Sequence, residues 1–140
     1  MAGRFDQVQQ FISALPHAEA LGLEVTEIGE GAAALTMPYN SRLVGDPTTG
    51  VIHGGAVSAL MDTCCGMSVM SHPKSSGSTA TLDLRIEYMR AATPGKPIVA
   101  RATCYHITRN VAFVRATATE QGSEEPVAMA TGSFTNGEAK

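Results

Sequence analysis

Hydrophobic and polar positions along this chain follow two different periods, and the switches between them outline a fold. Phe5, Val8, Phe11, Ile12 and Leu15 recur at three- and four-residue steps. That spacing predicts an amphipathic helix, and it ends before Pro16 because the residue preceding a proline is pushed out of helical geometry. Leu23 to Ile28 and Ala32 to Met37 flank Gly29 and Gly31 and read as a hairpin with a tight turn. Asn40 to Gly50, rich in Ser, Asp, Pro, Thr and Gly, reads as a loop that feeds Val51-Ile52-His53-Gly54-Gly55 into an apolar run. From Gly54 to Met70 nearly every side chain is small or apolar. Period alone leaves strand and helix open there, but the run is far longer than the usual strand of about four to eight residues, so it reads as a helix. A helix apolar all round has to be covered on all sides.

Pro73 to Gly77 ends that helix, and the period then falls to two. Ala80, Leu82, Leu84, Ile86 and Tyr88 alternate with Thr81, Asp83, Arg85 and Glu87, a long half-buried strand with a polar face of mixed sign. Strands at Ile98 to Thr108 and Val111 to Glu120 meet at Arg109-Asn110, and a last one runs from Val127 to Phe134. The order is helix, two strands, buried helix, four strands. This is an α+β arrangement in which one helix packs on an antiparallel sheet. One sheet curled round the helix covers a single side of it, so a second sheet or a second subunit has to cover the other.

Composition sharpens the last point. The chain has 140 residues, the size of one domain. Charged residues make up only 16% of it against a typical ~25%, while 44% are hydrophobic. A monomer of this composition is short of charge for its outside, which points to an oligomer. A net charge of −3 with no cluster of Lys and Arg disfavours nucleic acid as a partner. Cys64, Cys65 and Cys104 are odd in number, and the adjacent pair lies in the apolar run, so a disulfide framework is not expected and a reducing, cytoplasmic setting is. Met1 to Leu15 mixes Arg4, Asp6, Gln7, Gln9 and Gln10 with apolar residues, unlike an export signal. The Gly54 to Met70 run is interrupted by Asp62 and falls just short of the ~18 residues of a membrane span.

Asp62 is the chemical anomaly. Between Leu43 and Pro73 there is no Lys, Arg or Glu, and the only formal charges are Asp46 and Asp62. A carboxylate inside an apolar helix needs donors, water or a function, because burial without a partner favours its neutral form. A structural Asp bonded to nearby backbone or to Thr63 would also satisfy that requirement. Ahead of it, His53-Gly54-Gly55 stands where a flexible loop enters the helix, so the first-turn N–H groups are unobstructed and carry the positive end of the helix dipole. Such a helix start suits a developing oxyanion, although a Gly pair alone is also ordinary punctuation. Asp62 lies nine residues beyond His53, about 13 Å along the axis and half a turn round it, so the two do not touch within one helix. A two-fold dimer that pairs the helix start of one subunit with the Asp of the other would unite them twice over.

Gly50-Val-Ile-His53-Gly54-Gly55 followed by Leu60-Met61-Asp62-Thr63 resembles the H-G-G-x-x-x-x-L-x-D signature of PaaI-like acyl-CoA thioesterases of the hotdog-fold superfamily. The likeness extends through Leu82 to Arg90 and, in element order, over nearly the whole chain. It implies a single domain spanning the chain, an antiparallel sheet wrapped around one central helix, and cleavage of an aryl-acetyl or short to medium acyl-CoA into free acid and CoA. Coenzyme A is then part of the substrate, with no separate cofactor and no metal. Asp62 corresponds to the catalytic carboxylate, as general base or nucleophile, Gly54 or Gly55 to the N–H that polarises the thioester carbonyl, and His53 to a residue that helps orient it. Members are commonly dimers, or dimers of dimers, joined edge to edge with sites at the subunit interface.

Two positions depart from the family pattern. Where members often carry an Asn about six residues before the His, this chain has Pro47, so polar help from that loop has to come from Asp46, Thr48 or Thr49. The family's secondary Ser or Thr maps to Thr81, which strict alternation places beside Asp83 and Arg85, away from the face of Leu82 and Leu84. Arg90, Lys96, Arg109 and Asn110 lie at strand ends where CoA phosphates could meet them, and Met61, Met67 and Met70 are positioned either to pack or to line an acyl pocket. His17, His72 and His106 have no metal-ligand spacing. A non-catalytic acyl-CoA-binding module is the alternative to an enzyme; a dehydratase or hydratase of the same superfamily would present a different His motif.

Overall fold

The computed structural model describes residues 4–137, so the first three positions of the Met1 to Leu15 stretch lie outside it. The expected helix is α1 (Arg4–Ala14), and Pro16 both ends it and opens a short α2 (Pro16–Leu21), an element the apolar period did not signal. Proline at a first helical position costs nothing, since its missing N–H would have no partner there. Along α1, Ile12 is fully buried and Val8 partly covered, as is Leu15 just beyond it, but Phe5 and Phe11 stay exposed. The stripe is wider than the surface this one chain offers it.

Strands β1 (Glu24–Gly29) and β2 (Ala32–Met37) form the expected hairpin. The Asn40 to Gly50 loop holds a second element absent from the sequence reading, a ribbon of β3 (Val44–Asp46) and β4 (Val51–Ile52). The buried helix is α3 (Gly54–Met70), followed by β5 (Thr81–Tyr88), β6 (Ile98–Ile107), β7 (Val111–Glu120) and β8 (Pro126–Thr135). Six strands make one antiparallel sheet in the order β1-β2-β6-β7-β8-β5, wrapped around α3 as a hotdog fold.

The core lies between α3 and the inner sheet face. Leu60, Met61, Cys64, Cys65 and Val69 are fully buried against Leu35, Ala100, Ala112, Val114 and Ala118, and the small alanines let the helix sit close to the strands. The three cysteines are free and buried, and burial pushes the Cys64 thiol up to about 12. They pack as small hydrophobes. Among the described residues no helix is long and apolar enough to cross a membrane.

Covering is incomplete on the side of α3 nearest β5. Ser58, Ala59, Asp62, Thr63 and Gly66 are only half-buried, and Gly55 is exposed. β5 is a sheet edge, paired among the described residues with β8 alone. Its apolar positions are correspondingly open: Leu82 is 57% and Tyr88 50% exposed, with Leu84 and Ile86 half-buried. An edge strand with unpaired backbone and an apolar face invites another strand.

Candidate active site

His53 is the N-cap of α3. Its Nδ1 accepts the Gly55 N–H at 2.8 Å, and its carbonyl accepts the Ala56 N–H at 3.0 Å. A Cβ at position 55 would lie 2.9 Å from the imidazole Nδ1, so a side chain there would push the His53 ring out of its cap. Gly45 on β3 is constrained in the same way, since its Cβ would stand 2.9 Å from the Cα of His53. An Nδ1 that accepts a hydrogen bond leaves Nε2 as the ring's N–H donor, on an exposed side chain.

This cap separates the two glycines that the sequence could not rank. The Gly55 N–H is spent on His53, whereas the Gly54 N–H has no hydrogen-bond partner among the described residues. Gly54 is therefore the free donor at the positive end of a 17-residue helix. Its own carbonyl accepts the Tyr88 hydroxyl at 2.8 Å, and Ser58 Oγ in turn meets the Tyr88 oxygen. Tyr88 thus ties the end of β5 to the first turn of α3. It went unnoticed in the sequence because alternation marked it only as an apolar-face position. Gly54 opens on a cleft of about 320 Å³ lined by Val51, Ile52, Val57, Tyr88, Ala92 and Val127.

The Asp62 carboxylate is half-buried, and its Oδ1 accepts the Thr81 hydroxyl at 2.6 Å. The expectation that Thr81 points away from the helix is corrected here, and the cause is a bulge. Thr81 faces Phe134 across the ladder and Asp83 faces Ser133, so two steps on β5 match one on β8. The extra residue reverses the side-chain parity and brings Thr81 onto the helix side with Leu84, Ile86 and Tyr88. Asp62 accordingly has a side-chain donor from the neighbouring strand, while Thr63 bonds the Ala59 carbonyl at 2.8 Å instead.

A free N–H at a glycine helix start, a His cap and a carboxylate bonded to the neighbouring strand thus lie on or beside one helix. The model of the thioesterase superfamily matches residues 49–127, which include every one of these groups. The chain belongs to the thioesterase superfamily. A solved Pseudomonas aeruginosa protein is 40% identical, with a TM-score of 0.82 over 94% of this chain and 97% of that one. A mutant of the phenylacetic acid degradation protein PaaI from Thermus thermophilus is 28% identical, with a TM-score of 0.76 over 87% of this chain and 99% of that one. The medium/long-chain acyl-CoA thioesterase YigI of Salmonella typhimurium is 27% identical over 63% of each chain.

In this thioesterase-superfamily protein the remaining candidates are dispersed. The Arg90 guanidinium is engaged by Glu120, at 2.7 Å, and by the Glu125 carbonyl, at 3.0 Å. Arg90 follows the Tyr88 end of β5, whereas Arg109 and Asn110 form the turn between β6 and β7, where the Asn110 carbonyl accepts the Asn136 N–H at 2.8 Å. These groups stand at opposite ends of the ten-residue strand β8, roughly 30 Å apart at about 3.3 Å per residue. One chain does not gather them around one ligand. Near the missing family Asn, Asp46 is turned onto its own loop: Thr48 donates its N–H at 2.9 Å and its hydroxyl at 2.6 Å, and these bonds hold the carboxyl below its usual range. Met61 belongs to the core, while Met67 and Met70 line an apolar cavity of about 230 Å³ with Val8, Phe11 and Ile28.

Proposed function

We propose that this protein hydrolyses acyl-CoA thioesters at two equivalent sites, each shared between two copies of the chain joined through β5. The observation that carries this reading is the way β5 holds both halves of the chemistry. Tyr88 at one end is bonded to Gly54, and Thr81 at the other is bonded to Asp62. Antiparallel pairing of β5 with its own copy about a two-fold axis at Arg85 sets Ile86 against Leu84 and Glu87 against Asp83. Across the bulge, Tyr88 then meets Thr81 of the copy. Directly opposed residues share a sheet face in such a pair, and the bulge is what gives Thr81 and Tyr88 the same face. The Gly54 N–H of one subunit and the Asp62 carboxylate of the other then flank one cleft, which a single α3 does not allow.

In that cleft the thioester carbonyl oxygen takes the Gly54 N–H, whose dipole stabilises the negative charge that develops as the carbonyl carbon is attacked. The Asp62 carboxylate accepts a water proton as that water attacks, or attacks the carbon itself. The Thr81 hydroxyl occupies one lone pair of Oδ1 and fixes the carboxylate's rotation. With water as the attacker, collapse of the tetrahedral intermediate expels the CoA thiolate, which takes up the proton held by Asp62, and leaves the acid; with Asp62 as the attacker, collapse expels the thiolate and leaves a mixed anhydride on Asp62, which water then hydrolyses to the acid and the free carboxylate. Similarity to an acyl-CoA thioesterase and to a phenylacetic acid degradation protein supports a CoA thioester as substrate and leaves aryl-acetyl and aliphatic acyl groups both in view.

The test is release of free thiol from a panel of aryl-acetyl, short-chain and medium-chain acyl-CoAs, with Asp62→Asn beside the parent. We expect turnover of at least one member by the parent and a kcat at least a hundredfold lower for Asp62→Asn at similar KM. Binding without turnover across the panel would replace the enzyme with a binding module. A parent-like kcat for Asp62→Asn would remove the carboxylate from the mechanism.

A further inference from the structure

The bulge that turns Thr81 inward has a requirement on the neighbouring strand. Opposite Leu84, in the middle of β8, stands Gly132. Glycine in a strand interior weakens the strand unless another backbone comes close, and here one does. A Cβ on Gly132 would lie 2.2 Å from the Asp83 carbonyl oxygen and 3.0 Å from both Cα and Cδ1 of Leu84. Two of those three atoms are backbone, so no rotamer change relieves the clash, and the strand itself would have to move. The strand segment in question runs directly into the bulge, since Asp83 is the residue at which the register slips and Thr81 lies two positions before it.

We infer that Gly132 is a positioning residue of the active site: by lacking a side chain it lets the β5 bulge close against β8, and the closed bulge carries Thr81 onto Asp62. This rests on the reading of Asp62 as the catalytic carboxylate. Gly132 itself touches neither that carboxylate nor the substrate cleft. A methyl group at position 132 displaces Asp83 and Leu84 outward and draws the Thr81 hydroxyl away from Oδ1, freeing the carboxylate to rotate. Misplacement of a reacting group by about 1 Å is enough for losses of the order of a hundredfold, and the loss falls on kcat, because the acyl-CoA contacts are made by other residues.

The experiment is a double-mutant cycle on kcat with Gly132→Ala, Thr81→Val and the two combined, each checked for folding by circular dichroism and thermal melting, with Asp62→Asn as a control. We expect Gly132→Ala to lower kcat by ten- to a hundredfold with KM within about twofold of the parent. The combined variant should be no slower than Thr81→Val alone, because both changes break the same hydrogen bond. Multiplying losses in the combined variant, a fall expressed in KM, or an unchanged kcat for Gly132→Ala would each overturn the proposal. So would failure of Gly132→Ala to fold, since it would assign the glycine to the sheet as a whole. If Asp62→Asn keeps the parent's kcat, the catalytic reading fails first, and it does so independently of what position 132 does.

Discussion

Glu120, at the end of β7, offers the best-defined perturbation of stability. The residue is only 4% exposed, and its Oε1 accepts two hydrogen bonds, from Arg90 Nη1 at 2.7 Å and from the Thr93 N–H at 2.6 Å. The Arg90 bond first and the Thr93 bond second pull the carboxyl down to about 2, against burial, which pushes the other way. From an ordinary 4.5 that depression corresponds to about 3 kcal/mol, at about 1.4 kcal/mol for each tenfold change in proton affinity. Arg90 is 30% exposed, so solvent screens part of this, and 2 to 3 kcal/mol is a fair expectation, on the order of magnitude the linkage allows. The sign follows from a folded-state pKa below the unfolded one. The contribution is complete above about 4.5 and is lost as pH falls toward about 2.

Glu120→Gln keeps an acceptor oxygen but removes the charge, leaving Arg90 without its counter-ion. At pH 7 and fixed protein concentration its Tm should drop by roughly 10 °C, taking about 4 °C per kcal/mol for a chain of this size. Melting curves of both proteins from pH 7 to pH 2 should converge at the acid end, where the parent also loses the charge. Equal Tm values at pH 7, or a gap unchanged at pH 2, would refute the reasoning. The loop that these bonds anchor lies beside the Gly54 cleft, which Met89, Arg90, Ala91 and Ala92 help to line. A rise in KM at temperatures where the variant stays folded is therefore expected as well.

The proposed sharing of the site between subunits makes a quantitative prediction for mixed subunits. Gly54→Pro and Asp62→Asn should each be inactive alone, yet co-refolding them in equal amounts should restore about a quarter of parent activity, since half the dimers are mixed and each mixed dimer holds one intact pair. Recovery of no activity would place the whole site within one chain. Specific activity should also fall on dilution in step with the fraction of dimer measured by mass photometry, and a monomer with the parent's kcat would contradict assembly through β5.

Much of this fold was legible because its long elements carry strong periods. The α3 run was too long for a strand, and β6, β7 and β8 alternate over most of their length, with buried alanines among their inward positions. The short elements escaped for the opposite reason. α2 has six residues, and the β3–β4 ribbon lies in a stretch of Ser, Asp, Pro and Gly whose composition signals a loop. Within the site, the sequence brought out His53, Gly54, Gly55 and Asp62 but could not choose between the glycines, because the choice depends on the His53 cap. It misplaced Thr81 because alternation assumes an unbroken ladder. One sign of the break was present: Gly132 sits within an otherwise regular strand, and that glycine is what the bulge requires. The ion pair of Arg90 with Glu120 joins residues thirty positions apart, and no local pattern announces it.

The low charge content takes on a more specific meaning from these placements. A general shortage of surface charge would leave open patches anywhere, but here a main opening runs along the edge strand and the half-covered stripe of α3 beside it. Pairing through that edge would bury the apolar positions of β5, satisfy its free backbone groups and close over Asp62, so the interface and the site would form in a single step. Closed over in that way, the Asp62 carboxylate would keep a hydrogen-bond donor in Thr81 against the cost of burial. On the proposed reading, the hydroxyl that would offset the cost of burying this half-buried carboxylate is the same one that orients it, so its placement by the bulge would bear on the interface and on turnover together.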